Sequence, residues 1–242
     1  MSLYVMADLH LSADRSKSME VFGPRWSGYM EKIKKNWEAV ITDEDTVIIP
    51  GDLSWALKPE DAVDDFLFLE ALPGKKLIGK GNHDFWWATQ AKLKALWEKH
   101  NIHSVELLYN NAYRFDSCIV CGTRGWFLDE TQQHTVGEVN YAKIVNREVI
   151  RLRLSLEEAR KLQDTEGEPL PIAVFLHFPP VWNDFVCREI VDVLLEYQVK
   201  TCYFGHIHGA YYAPRTRSFE GIDFVLCAAD YLNFAPLPVF VG

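Results

Sequence analysis

The chain has 242 residues, 48% of them hydrophobic and 24% charged, with a formal net charge of -9. That length and balance suit one globular domain spanning 1–242 with a sizeable core. The acidic balance argues against a general nucleic-acid coat, which needs clustered Lys and Arg, and no apolar run approaches the roughly 20 residues of a membrane span.

The first residues run straight into a strand-like segment with no basic leader, so a cytoplasmic location is the default expectation. The five Cys are an odd number in apolar surroundings, which suits reduced, buried thiols. Cys118 and Cys121 lie in a strand-like run, where residues three apart face opposite sides. With no second pair, they read as structural thiols rather than a zinc or redox motif.

Leu3 to Ala7 reads as a short strand ending at Asp8-Leu9-His10. Residues two apart point the same way, so Asp8 and His10 can reach one point. Taken alone, the pair is also readable as a capping Asp with an incidental His. Residues 12 to 25 read as a loop. Trp26 to Ile41 has helical spacing, with Tyr29, Ile33 and Trp37 on one face. Thr46 to Ile49 is a β-branched strand ending at Pro50-Gly51-Asp52. Pro59 to Leu72 is a second helix with Pro near its start. Lys75 to Ile78 is a third strand, and it delivers the turn Gly81-Asn82-His83-Asp84. Thr89 to His100 is a third helix. Three strand–loop–helix units in a row predict a parallel sheet with right-handed crossovers.

From Ile102 to Gly122 the pattern is strand-rich, followed by Arg124-Gly125-Trp126 and a polar stretch over 126–140. That stretch is longer than most connections, which suggests a lid or substrate loop. Tyr141 to Leu162 is a long, highly charged helix. Ile172 to Leu176 is a buried strand ending at His177-Phe178-Pro179-Pro180, and Cys187 to Tyr197 is a helix. Lys200 to Phe204 is a strand ending at Gly205-His206-Ile207-His208. The tail reads as a hairpin around Glu220-Gly221.

Asp8, His10, Asp52, Asn82, His177, His206 and His208 all follow predicted strands. In open α/β sheets, sites lie outside the carboxyl ends of strands, so these loops can converge. Mixed carboxylate, imidazole and amide ligands suit a pair of divalent metals of the Mn, Fe or Zn kind. His100, His103 and His134 lie outside strand ends and read as solvated.

The order Asp8-Leu9-His10, Gly51-Asp52, Gly81-Asn82-His83-Asp84, His177, Gly205-His206-Ile207-His208 resembles the calcineurin-like metallophosphoesterase superfamily. The blocks span residues 8 to 208. The resemblance implies an α/β fold, a four-layer α/β/β/α sandwich of two mixed sheets with a dinuclear metal site between them. It implies Asp8, His10 and His208 on one metal, Asn82, His177 and His206 on the other, and Asp52 bridging. Two such ions can hold a bridging hydroxide that attacks phosphorus. His83, not needed as a ligand, is placed as a general acid for the leaving oxygen. Asp84 either orients that imidazole or caps its own turn. Asn82 can also contact substrate. Arg124 either clamps a non-transferring phosphate oxygen or lies on the surface.

Protein phosphatases of the superfamily carry an Arg soon after Gly-Asp and a Glu after Asn-His. Here Leu53-Ser54-Trp55-Ala56 and Asp84 stand there, closer to bacterial phosphodiesterases and small-molecule phosphohydrolases. Related lipid-precursor hydrolases have Arg where this chain has His83. The expected function is therefore metal-dependent hydrolysis of a phosphodiester or small phosphorylated metabolite, a nucleotide included. Phosphomonoesterase, protein phosphatase, nuclease and non-catalytic scaffold are the alternatives, and the oligomeric state is open. Trp55, Trp86, Trp87 and Trp182 lie near ligand loops and read either as an aromatic wall for a planar group or as core.

Overall fold

The structure, a computed structural model, describes residues 1–13, 17–127, 141–163 and 169–241. In the first sheet, β1 (Leu3–Val5), β2 (Thr46–Ile49), β3 (Lys75–Ile78) and β4 (Val105–Leu107) run parallel in that order. Between them come α1 (Tyr29–Glu38), α2 (Val63–Glu70) and α3 (Gln90–Lys99), as the three sequence units predict. A short strand from the C-terminal tail, Leu237–Pro238, pairs antiparallel with β1.

The second sheet is built on β6 (Ile119–Thr123), β7 (Ile172–Leu176), β10 (Thr201–Phe204) and β12 (Ile222–Leu226), all parallel. Its two edges are antiparallel: β5 (Ala112–Arg114) against β6, and β11 (Thr216–Phe219) against β12. β11 and β12 form the hairpin read around Glu220-Gly221. Two-residue strands β8 (Val181–Trp182) and β9 (Phe185–Val186) pair with each other, and the tail strand is β13.

The second sheet is buried on both faces, so its strands read as unbroken apolar runs. Along β7, Ile172, Val174 and Leu176 enter a core with α4 (Tyr141–Gln163) and α5 (Arg188–Glu196). Ala173 and Phe175 point the other way, into a core shared with the first sheet and α1 to α3. The result is helices, sheet, sheet, helices: the expected four layers. The five thiols are buried and free. Cys118 and Cys121 enter opposite cores, and burial pushes the Cys121 thiol up to about 12.

A backbone junction joins the two sheets beside the ligand loops. Ala7 N donates to the Cys227 carbonyl at 2.8 Å, and Ala229 N donates to the Ala7 carbonyl at 2.9 Å. This junction sets Asp8 against Gly205-His206. Two sequence expectations change. The first helix begins at Tyr29 rather than Trp26: residues 19–22 and 24–26 form short 3-10 turns, the second of which takes in Trp26 from the segment read as helix. The second is shortened by a 3-10 turn at Pro59–Ala62. The suggested lid falls mostly on 128–140, outside the described residues.

Candidate metal centre

Each loop of interest leaves the carboxyl end of a parallel strand: Asp8 and His10 after β1, Asp52 after β2, Asn82 after β3, His177 after β7, His206 and His208 after β10. Asp8, His10, Asp52 and His206 have left-handed backbones, with φ of 59°, 46°, 51° and 67°. The motif glycines are explained by close approach. A Cβ on Gly51 would lie 2.6 Å from the Gly81 nitrogen, one on Gly81 would collide with Asp52, and one on Gly205 would collide with Asp8.

Two groups of donor atoms result, each within 4.8 Å of one another: Asp8, His10 and His208, and Asp52, His177 and His206. His10 Nε2 lies 3.2 Å from His208 Nε2. Asn82 joins the second group, with its Oδ1 2.6 Å from His177 Nε2. Asp52 Oδ2 lies between the groups, 3.7 Å from His10 Nε2 and 3.6 Å from His177 Nε2. It is buried and accepts no hydrogen bond among the described residues.

Burial disfavours the charged form of Asp8, His10, Asp52 and His177. Burial raises the Asp8 carboxyl well above its ordinary range, and the Asp52 charge adds to this. Burial and then Asp84 do the same to Asp52. Burial holds His10 and His177 well below the histidine range, and neighbouring imidazoles push further. Buried carboxylates beside crowded neutral imidazoles are an environment that a pair of divalent ions would satisfy.

Second-layer contacts fix the donors. His206 N donates to both oxygens of Asp8, at 3.0 and 2.9 Å. His177 Nδ1 lies 3.2 Å from the Pro50 carbonyl, which leaves Nε2 for the centre. His208 Nδ1 lies 2.9 Å from Asp230 Oδ1, and Gly209 N donates to Asp230 Oδ2 at 3.0 Å. Burial opposes the Asp230 charge, but these partners outweigh it and its pKa is lowered. This is the carboxylate–imidazole arrangement that orients metal-ligating histidines. Sequence reading did not find Asp230, which sits in no motif block.

His83 lies half-exposed beside the first group, 5.7 Å from the His10 ring and 4.4 Å from the Trp55 ring. Burial and then His208 lower its pKa. Asp84 is buried, and its two oxygens accept from the backbone of Asp52, Leu53, Ser54 and Gly81 and from the Trp86 indole. None of these donors is the His83 imidazole, so the hydrogen bonds are those of the turn-capping alternative.

Of the two readings of the four Trp, core packing holds for Trp86, which is fully buried. Half-buried Trp87 packs on Trp86 and Tyr109, and half-buried Trp182 packs on Phe204. Trp55 meets the donor groups directly, stacked on His10 at 4.9 Å and 25°. Trp26, unremarked in the sequence, lies edge-on to His10 and His208. Arg124 is not a free surface residue. Its carbonyl accepts the amides of His177 and Phe178, and its guanidinium meets buried Glu148 at 3.4 Å.

A family model for the calcineurin-like phosphoesterases matches residues 1–210. The chain belongs to that family. Solved structures resemble this calcineurin-like phosphoesterase along nearly its whole length. A protein of unknown function from Aquifex aeolicus aligns with a TM-score of 0.50 and 15% identity, over 98% of this chain and 95% of its own. A protein of Thermus thermophilus gives 0.58 and 13%, over 96% and 91%. An anchor in the inner membrane complex of Plasmodium gives 0.51 and 11%, over 95% and 72%. At such identities the likeness shows the fold alone. No curated protein matches this phosphoesterase in sequence. Among the described residues, no helix is long and apolar enough to cross a membrane.

Proposed function

We propose that the chain is a dinuclear metal-dependent phosphoester hydrolase acting on a phosphodiester or small phosphorylated metabolite. The observation that carries this reading is Asp52 Oδ2, buried without a hydrogen-bond donor among the described residues, between two imidazole nitrogens at 3.7 and 3.6 Å. In this reading Asp8, His10 and His208 hold one ion, Asn82, His177 and His206 hold the other, and Asp52 serves both. The donor set suits Mn, Fe or Zn.

When bound, such ions supply positive charge to phosphoryl oxygens and lower the pKa of water toward neutrality. The chain's own residues do the rest. Asp8 and Asp52 set the negative charge of the centre. Asp230 holds His208 by its Nδ1, and the Pro50 carbonyl holds His177. Trp55 backs His10 and His83 and keeps water from their faces. His83 donates a proton to the departing oxygen. The acidic overall balance supports a small substrate over a nucleic acid.

Hydrolysis of bis-p-nitrophenyl phosphate by chelated and Mn²⁺-restored protein tests the reading. The expected result is activity that requires the metal and is lost in Asp52→Asn. Two bound metals without turnover of this diester or of p-nitrophenyl phosphate would overturn it and leave a binding role for the fold.

A further inference from the structure

Beside the candidate centre lies a charged feature that the hydrolase reading does not use. Glu148 sits on the inward stripe of α4, in line with Val145, Leu152 and Leu156, and is completely buried. A buried carboxylate needs partners. Its Oε1 meets Arg151 Nη1 at 2.6 Å, Arg124 Nη2 at 3.4 Å and Arg147 Nε at 3.8 Å. Its Oε2 and the buried Nε of Arg124 have no hydrogen-bond partner among the described residues.

Lys80 lies within electrostatic reach of Arg124, Arg151 and Glu148. Arg151 also lies over the Tyr109 ring at 5.7 Å. Among the described residues, three guanidiniums therefore meet one carboxylate oxygen, in a chain whose net charge is -9. They carry more charge than the single carboxylate they share.

The cluster is tied to the loops of the centre. The Arg124 carbonyl accepts the His177 and Phe178 amides at 3.1 and 2.9 Å. Lys80 immediately precedes Gly81-Asn82. Guanidinium forks match phosphate oxygens in geometry and charge, and a shared buried carboxylate fixes their direction before any ligand arrives.

We propose that Arg124, Arg147 and Arg151, braced by Glu148, form a subsite for a second phosphate group of the substrate, next to the phosphoryl group at the metal centre. The substrate class is then a nucleotide or similar metabolite carrying a diphosphate. The location of the reacting group rests on the hydrolase reading; the subsite itself is tested by binding alone.

The experiment is calorimetric titration of the Mn²⁺-loaded protein with α,β-methylene-ADP, which resists hydrolysis between its phosphates, and with AMP. The wild type is expected to bind the former at least about tenfold more tightly, consistent with one or two added charge-assisted contacts. Arg151→Ala is expected to bring the ratio within about twofold, and Glu148→Gln to narrow it as the forks lose their brace. The more exposed Arg147→Gln serves if Arg151→Ala does not fold, with an expected loss of about threefold in the ratio. A wild-type ratio near one, or a ratio unmoved in folded variants, overturns the proposal and leaves the cluster a purely structural brace. Diester turnover with an unmoved ratio would sink the subsite and keep the hydrolase. A ratio that collapses in the variants without turnover of any ester would keep the subsite and sink the hydrolase.

Discussion

Asp84→Ala is the perturbation with the largest consequence outside the donor set. It removes the acceptor from the backbone of Asp52, Leu53 and Gly81, at 2.9, 2.9 and 2.7 Å, and from the Trp86 indole at 3.0 Å. A longer bond from Ser54 N, at 3.4 Å, goes with them. Hydrogen bonds to a charged acceptor contribute about 1.5–3 kcal/mol each, so the four short ones sum to roughly 6–12 kcal/mol. The donors are neighbours and share one acceptor, so their losses do not add, and water can enter the opened turn. A net loss of about 4–6 kcal/mol is expected. That is a large part of the about 5–15 kcal/mol by which domains are stable. Urea unfolding followed by tryptophan fluorescence reads it directly. A loss below about 2 kcal/mol would refute the reasoning, since it would mean the donors find other partners. Were Asp84 instead an orienter of His83, a folded variant would keep its stability and lose turnover.

Four further outcomes are expected. Asp230→Asn leaves the fold intact and lowers Mn²⁺ affinity at one of two sites by about 10–100-fold; calorimetry showing two unchanged sites would remove Asp230 from the centre. Trp87→Ala costs stability and affects a nucleotide and a small aryl ester alike, whereas Trp55→Ala acts selectively; the reverse pattern would restore the wall at Trp87. His83→Ala slows a diester with a poor alkoxide leaving group far more than one with p-nitrophenolate, because only the former needs a proton; equal losses would deny His83 that role. Lys76 is fully buried on β3, and burial lowers its pKa to about 8. Below pH 8 it is charged in both states and the fold bears the burial cost. Between that pH and its unfolded value near 10.5, the unfolded chain binds more protons, so stability rises with pH. Relative to Lys76→Met, wild type should gain up to about 3 kcal/mol across that window, the opposing effect of the buried thiols being common to both proteins; parallel pH profiles would refute this.

The parallel strands and their terminal donors were legible because each strand is a short apolar run and each donor follows it directly. What the sequence hid depends on side-chain direction at turns and on pairing between distant segments. Trp55, Trp86 and Trp87 look equivalent along the chain, yet the capped turn at Asp84 sends Trp86 into the core and leaves Trp55 on His10. Asp230 follows Ala228-Ala229, and only the junction between the sheets brings it to His208. Two-residue strands such as Val181–Trp182 and Leu237–Pro238 give no periodic signal. Glu148 did leave a trace. It occupies the apolar stripe of a charged helix, spaced from Val145, Leu152 and Leu156 as a core residue would be.

The left-handed backbones at Asp8, His10, Asp52 and His206 limit how this centre can drift. Glycine and short polar residues such as Asn, Asp and His adopt that conformation at the least cost. Asp8→Glu or Asp52→Glu would keep the charge and strain the chain, whereas Asp8→Asn or Asp52→Asn would lose the charge and leave the backbone at ease. Substitutions easiest for the fold are therefore those most damaging to the chemistry. A lineage carrying such loops can lose its activity one residue at a time while every strand, turn and layer stays in place.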